Sequence, residues 1–253
     1  MMEMMNLQKM ITERRITRKQ WTGTDAQGRE TACLLAALHP PCGTEESTSV
    51  CPASLMPQWM AALTVWIDDA PSESHWWSVV ERYGALAQRF SELDEKRWER
   101  ASYRVGAAIL WIVLPVFDDE WGCREAVAGM LACYESAVAT GEIDVLARAK
   151  WTAAASEAAG ASEAAGALDL AGATYLAEAA AAAWVAWAAE AAGAADLSEA
   201  AETAEASWPA GSARADRICD AVLDAIEQEL TAEKDGDDNG NETRTRARDT
   251  VGV

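Results

Sequence analysis

The sequence is poor in histidine, phenylalanine and basic residues. Its 253 residues include two histidines, two phenylalanines and 21 lysines or arginines against 41 acids, which gives a net charge of −20. Direct binding to nucleic acid depends mainly on cationic contacts to phosphates, so this balance disfavours it. The same balance suits a basic protein partner. No lysine or arginine lies between Trp151 and Ala213.

The sequence also lacks the apolar segments that export or membrane insertion requires. Its first residues, MMEMMNLQKM, contain no signal-peptide core, and no window approaches the roughly 18 uninterrupted apolar residues of a membrane span. We therefore expect no membrane association and predict a cytoplasmic protein. Cysteines remain reduced in that compartment, so we expect free thiols at the six cysteine positions.

Long alternations of apolar and polar residues are absent, which argues against a large sheet. Apolar residues recur instead at helical spacing after Ser54, Ser72 and Ser91, and short loops separate the three segments. Tryptophan occurs twelve times and is the main large space-filling residue. We predict an all-α fold, a multi-helix bundle with an alanine-rich helical C-terminal half and a disordered tail.

A change of composition after Gly141 suggests how the chain is divided. A six-residue rhythm appears there, with ASEAAG repeated from Ala155 and Ala161. A β-helix would need a large aliphatic residue in each repeat, whereas alanine has the highest helix propensity, so we predict helices that are weakened near Gly160 and Gly166. The expected regions are a tryptophan-rich helical domain at 1–140, an alanine-rich helical region packed on it at 141–233, and a disordered tail at 234–253.

The main basic cluster lies near the N-terminus. Asn6 to Gln20 is predicted to form a short amphipathic helix with apolar residues on one side. The other side carries Lys9, Arg14, Arg15, Arg18 and Lys19. We interpret this side as a solvated face or as an intramolecular dock for the acidic C-terminal half; a nucleic-acid or membrane contact is the less favoured alternative.

Four residues early in the chain are zinc-ligand candidates. Cys33, His39, Cys42 and Cys51 could in principle form one Cys₃His site. Their spacing, C-x5-H-x2-C-x8-C, lacks the paired C-x2-C that characterises such sites. Cys33 also lies on an apolar helical face, where cysteine behaves as a small hydrophobic residue. We therefore favour unliganded structural cysteines and predict no metal and no cofactor.

Carboxylates near His75 are the candidates for acid–base chemistry. Asp68, Asp69 and His75, with Asp118 further along the chain, could form such a group. Helix capping and solvation account for the same residues. No serine, cysteine or lysine nucleophile is visibly paired with His39 or His75. We therefore predict no catalytic residue, and keep a hydrolase that uses Asp68, Asp69 and His75 as an alternative.

Two stretches carry a resemblance. The segments CPASLMPQWMAALTVWIDDAPSE and AAAAAWVAWAAEAA resemble uncharacterised proteins carried by phages and prophages, over roughly residues 14–230. The alanine-rich half is also similar to some proteins of the immunity class, which neutralise bacterial toxins. The resemblance implies a phage or mobile-element accessory protein that acts in the host cytoplasm. It supplies no catalytic residue.

The leading functional hypothesis is a non-enzymatic helical protein that binds another protein, as an immunity protein or inhibitor does. The alternatives are an acidic mimic of nucleic acid that blocks a DNA-binding protein, the hydrolase named above, and a structural or virion component. The mimic requires a regular external row of acids. The hydrolase requires its carboxylates and His75 to converge in one pocket.

Overall fold

The computed structural model describes residues 2–116, 123–164 and 213–232. Within these ranges the chain is almost entirely helical, with one two-stranded antiparallel sheet, and the predicted all-α fold is confirmed. The helices are α1 (Met2–Thr12), α2 (Leu34–Leu38), α3 (Pro40–Glu45), α4 (Gln58–Asp69), α5 (Glu73–Ala87), α6 (Glu95–Val113), α7 (Cys123–Thr140), α8 (Val145–Ala164) and α9 (Ala213–Thr231). The strands are β1 (Thr22–Thr24) and β2 (Glu30–Ala32), and 3₁₀ turns occur at Phe90–Glu92 and Leu114–Val116.

Helices α4, α5 and α6 form the tryptophan-rich centre that the sequence predicts. Trp59, Trp76 and Trp98 each turn a nearly buried ring into the core. The indole of Trp98 meets those of Trp59 and Phe90 edge to face, with ring centroids 5.8 and 5.2 Å apart. Edge-to-face pairs of this kind add to the burial of apolar area, so the three helices share one aromatic core.

Helix α9 completes this core although it comes last among the described helices. It runs parallel to α5, because Asp216 contacts Ser72 at one end while Asp224 contacts Arg82 further along. It is antiparallel to α6. Its apolar stripe is fully buried and consists of Ile218, Cys219, Val222, Leu223, Ile226 and Leu230. These side chains belong to the same cluster as the tryptophans, so the boundary expected at residue 140 does not divide the core.

Helices α7 and α8 extend the bundle beyond α6. Gly129 of α7 allows the ring of Trp151 to approach so closely that a Cβ on residue 129 would lie 2.2 Å from it. Gly106 of α6 similarly faces the ring of Tyr134. Helix α8 continues through Gly160 to Ala164, so the interruption predicted near Gly160 is wrong. The later glycines of the repeat and the predicted tail at 234–253 lie outside the described residues.

The N-terminal segment differs from its prediction. Helix α1 ends at Thr12 rather than Gln20, because Arg14 adopts a left-handed conformation at φ 55° and the amide of Arg15 turns back to the carbonyl of Met10. The chain then extends, and Ile16 forms a bridge with Ala32 at the edge of the small sheet. The apolar periodicity of α1 ends with Ile11, so the basic residues that follow lie beyond the helix.

The basic cluster contacts the corner between α4 and α5. Arg14 pairs with Glu81 at 2.9 Å and lies over the ring of Trp77. Arg18 donates to the carbonyls of Asp69 and Pro71 at 2.7 and 2.6 Å. These contacts place both arginines on α5 and on the C-terminal end of α4, so for Arg14 and Arg18 the predicted dock on the acidic C-terminal half is wrong.

Among the described helices none is long and apolar enough to cross a membrane.

Candidate functional site

Asp68 is the most perturbed carboxyl group in the described chain. It lies at the end of α4, where it is almost fully buried. Its Oδ2 accepts from the amide of Leu34 at 3.0 Å, and its Oδ1 accepts from Nε1 of Trp76 at 3.1 Å. Burial raises the pKa of Asp68 to about 7, and the two hydrogen bonds oppose that rise. Asp68 therefore joins the start of α2 to α5, in a place that solvent does not reach.

Asp69 and His75 have partners of their own. Oδ1 of Asp69 accepts from the backbone amide of Lys19 at 2.7 Å. Nε2 of His75 lies 3.0 Å from Oδ1 of Asp220 on α9. Asp118 lies outside the described residues. The structure thus gives Asp68, Asp69 and His75 three different bonding partners, and no shared partner brings them together for acid–base chemistry.

The zinc candidates are distributed over several local roles. Sγ of Cys33 accepts from the amide of Ala36 at 3.3 Å and caps α2, and burial raises the pKa of the thiol to about 12. His39 ends α2 and begins α3. Cys42 forms a hydrogen bond with the side chain of Cys51. Within the residues that the structure describes, no group of three histidine, cysteine, aspartate or glutamate side chains is placed to hold a metal.

A row of acids follows α9, but it faces α5. Both carboxylate oxygens of Asp216 accept from Ser72, at 2.6 Å from its amide and 2.7 Å from its hydroxyl. Asp220 meets His75, and Arg82 pairs with both Asp224 and Glu227. Each acid of this row has an intramolecular partner on α5, whereas a surface that imitates the phosphates of DNA needs acids that are open to a partner.

A buried ion cluster joins α9 to α6. Glu229 has no solvent exposure, and its carboxylate accepts from Nε of Arg100 at 2.8 Å and from Nε of Arg104 at 3.0 Å. The buried Arg97 donates to the backbone carbonyls of Glu229 and Glu92. The Glu229 carboxylate is thus satisfied within the fold, so we assign this cluster to helix packing.

Three large apolar side chains remain exposed on the described part of the molecule. The exposed fractions are 58% for Trp111, 57% for Val145 and 83% for Leu146. Trp111 extends from the end of α6, and its Nε1 donates to Oε1 of Glu135 on α7 at 2.9 Å. Val145 and Leu146 begin α8, four and five residues beyond Gly141. We call these three residues the apolar surface.

Acidic side chains border the apolar surface. Glu135 holds the indole of Trp111, and the exposed Glu142 and Asp144 immediately precede Val145. Oδ1 of Asp144 accepts from the amides of Leu146 and Ala147 at 3.0 and 2.9 Å, which caps α8 and fixes the position of its first turn. The apolar surface therefore stands on helix termini with defined geometry.

The apolar surface was not predicted from the sequence. Trp111 lies in the run Ile109 to Val113, where every residue is apolar, so periodicity cannot show which one faces solvent. Comparison with known protein families, characterised proteins and solved structures finds no match to this chain. The candidate site therefore rests on geometry alone.

Proposed function

We propose that the protein is non-enzymatic and acts by binding another protein through the apolar surface. The observation that carries this proposal is the exposure of Trp111 together with its fixed orientation. Tryptophan is enriched among the residues that dominate binding energies at protein interfaces. The hydrogen bond to Glu135 restrains the indole before a partner arrives, and a restrained side chain loses less entropy on binding.

The partner's chemistry follows from the border of the apolar surface. Glu135, Glu142 and Asp144 lie beside Trp111, Val145 and Leu146 and carry negative charge. A complementary partner presents an apolar patch surrounded by lysine or arginine. The charged border would speed association and favour this partner over acidic proteins, while the apolar centre supplies most of the affinity. The overall charge of −20 acts in the same direction at longer range.

The resemblance to phage and prophage proteins suggests a biological setting for this binding. We propose a phage or mobile-element accessory protein of the immunity or inhibitor type, working in the host cytoplasm. Neighbouring genes separate the two versions. A toxin gene beside this one supports immunity, and phage early genes support inhibition of a host protein. A neighbourhood of capsid or tail genes would contradict both and favour a virion component.

The test begins by identifying the partner with a photo-crosslinking amino acid. This residue would replace Leu146 in the full chain, and Gln27, which is exposed in the loop between β1 and β2, would carry it in a control chain. A protein of the host cell that is captured at position 146 and not at position 27 is then purified. Its affinity is measured for the wild-type protein and for Trp111→Ala, Leu146→Asp and Gln27→Ala.

We expect each of the first two substitutions to weaken binding by about tenfold or more, with Gln27→Ala unchanged. Affinity should also fall as salt is added. Equal binding by Leu146→Asp and the wild-type protein would disprove the role of the apolar surface. A wild-type dimer in sedimentation that Leu146→Asp dissociates would reassign the surface to contacts between copies of this chain.

The two alternative functions make distinct demands. For an acidic nucleic-acid mimic, the described acids of α9 are engaged with α5, so the row would have to come from other residues; competition with DNA for a DNA-binding protein tests it. For a hydrolase, Asp68, Asp69 and His75 would have to act in spite of their separate partners. Loss of a measured hydrolytic activity in both Asp69→Asn and His75→Ala would support that alternative.

A further inference from the structure

Two buried thiols contact each other beneath the connection between α3 and α4. Cys42 lies in α3 and Cys51 follows nine residues later, and both are free and buried. The Cys42 thiol is hydrogen-bonded to the Cys51 side chain, so the two sulfurs are neighbours. Cys33, Cys133 and Cys219 are also free and buried, but each lies in another part of the described fold.

The backbone around these cysteines keeps them together. Helix α3 ends at Glu46, which adopts a left-handed conformation at φ 50°, and the amides of Glu46 and Ser47 both bond to the carbonyl of Cys42. The amide of Cys51 bonds to the carbonyl of Thr48 at 3.0 Å, which folds the chain back toward α3. Thr48 is in turn held to α4, because its Oγ1 accepts from Nε2 of Gln58 at 3.0 Å.

We infer that Cys42 and Cys51 form a redox-active pair, which a hydroperoxide converts to a disulfide linking α3 to the segment before α4. The contact between the two sulfurs carries this inference. Disulfide formation needs the two Cβ atoms close together, and a pair already in hydrogen-bond contact needs little backbone movement to reach that geometry. The inference is independent of the proposed binding function.

The oxidation balances in two steps. The thiolate of one cysteine attacks hydrogen peroxide, the O–O bond breaks, and the products are a sulfenic acid and, after protonation, water. The second thiolate then attacks the sulfenic sulfur, an S–S bond forms, and the hydroxyl group leaves as water with the remaining proton. Two thiols and one peroxide thus give one disulfide and two waters, and a dithiol reductant reverses the change.

The environment of the pair makes this reaction slow. The hydrogen bond with Cys51, together with burial, raises the pKa of Cys42 well above its usual value. Only the thiolate is a good nucleophile, so little of Cys42 is reactive at neutral pH. We therefore expect the disulfide to accumulate during prolonged exposure to peroxide, and faster at higher pH.

The experiment uses the full folded chain, hydrogen peroxide as the only oxidant, and an alkylating quench. Cleavage after glutamate divides the chain at Glu45 and Glu46, between the two cysteines. Peptides containing Cys42 and Cys51 then remain joined only through a disulfide. The joined pair should be lighter than the sum of its reduced peptides by about 2 Da, the mass of two hydrogens. Its melting temperature before digestion should rise by several degrees, since the link closes a short loop.

Variants decide which sulfurs take part. Cys42→Ser and Cys51→Ser should each abolish the joined peptides, whereas Cys33→Ser and Cys219→Ser should leave them unchanged. A joined pair that Cys33→Ser abolishes would overturn the assignment. So would a wild-type protein in which both sulfurs accept alkylation fully after peroxide, or gain oxygen without joining. The wild-type readings hold even if a serine variant folds poorly.

Discussion

The indole Nε1 of Trp76 donates a hydrogen bond of 3.1 Å to Oδ1 of Asp68, inside the corner where α4 turns into α5. The other carboxylate oxygen bonds to the amide of Leu34. One buried carboxyl group therefore connects α4, α5 and the first residue of α2. Two donated hydrogen bonds stabilise its charged form, and burial acts against that form more strongly.

Asp68 should make the protein less stable as pH rises. Its pKa is about 7 in the folded chain against 3.8 in the unfolded reference, so the folded state binds the proton more tightly. The associated stability is fully present below about pH 4 and is lost as pH rises through 7. A shift of this size corresponds to at most about 4 kcal/mol in the free energy of unfolding.

Urea denaturation between pH 4 and 8.5 measures that dependence. In Asp68→Asn the component that titrates near pH 7 should disappear, because no proton can be exchanged at this position. Asp69→Asn is the matched control, and it should keep most of the slope. If Asp68→Asn and the wild-type protein lose stability in parallel, another group is responsible.

Glu229 should contribute far more to stability than its neighbour Glu227. Glu229 is inaccessible to solvent and accepts from Arg100 and Arg104, whereas the side chain of Glu227 is half exposed and pairs with Arg82. Replacing one partner of a buried ion pair leaves the other charges without compensation. We expect Glu229→Gln to lower the free energy of unfolding by about 3–5 kcal/mol and Glu227→Gln by less than about 1 kcal/mol.

Denaturation midpoints of the two glutamine variants, at one pH and one salt concentration, give this comparison. The substitutions remove the same charge from the same helix two residues apart, so helix propensity and net charge are matched. Similar losses for both variants would mean that the Glu229 cluster is open to water in solution.

A side chain at position 129 should separate α8 from α7. In Gly129→Ala the new Cβ would lie 2.2 Å from the Trp151 ring, so the ring or the whole helix must move. Overpacking of this kind lowers stability by about 1–3 kcal/mol. The double variant Gly129→Ala/Trp151→Ala tests the cause, because without the ring the added methyl group meets no obstacle.

The two changes should therefore couple: Gly129→Ala should be much less harmful in the Trp151→Ala background than in the wild type. Thermal unfolding of the four proteins provides the cycle. Strict additivity would place the effect of residue 129 elsewhere, for example in helix propensity, which favours alanine and has the opposite sign.

Two tryptophans of the same helix should differ in their effect on stability. Trp98 is 8% exposed and packs edge to face with Trp59 and Phe90, whereas Trp111 is 58% exposed. Trp98→Ala should cost about 3–5 kcal/mol of folding free energy. Trp111→Ala should cost less than about 1 kcal/mol, since little apolar area is lost from the core.

Equilibrium denaturation of both alanine variants measures the difference. A stable Trp111→Ala protein also provides the folded reagent that the binding experiment requires. A large loss for Trp111→Ala would show that its ring is covered within the protein in solution, and the apolar surface would then no longer be available to a partner.

The sequence predicted the parts of the fold that depend on local periodicity. Trp59 and Leu63 recur at helical spacing and lie in α4, and Asp94 caps α6 by accepting from the amide of Arg97. Prediction succeeded here because the contacts join residues that are close in the chain. The same reasoning placed Arg14 in a helix, where a left-handed turn ends α1 instead.

The candidate site depended on contacts between distant residues, which spacing does not encode. The pairing of Asp216 with Ser72 spans 144 positions, and that of His75 with Asp220 spans 145. Nothing near Asp220 in sequence indicates a histidine partner. The exposure of Trp111 is likewise decided by how α7 packs against α6. Both features follow from helix packing, and packing was open at the level of sequence.

The position of α9 has a consequence for how the protein forms during translation. Its buried stripe fills the space against α5 and α6, yet it is synthesised more than a hundred residues after them. Until residue 231 has left the ribosome, Arg97, Arg100 and Arg104 wait without Glu229, and the aromatic core keeps one open side. A nascent chain halted before Ala213 would therefore present that side to chaperones and proteases.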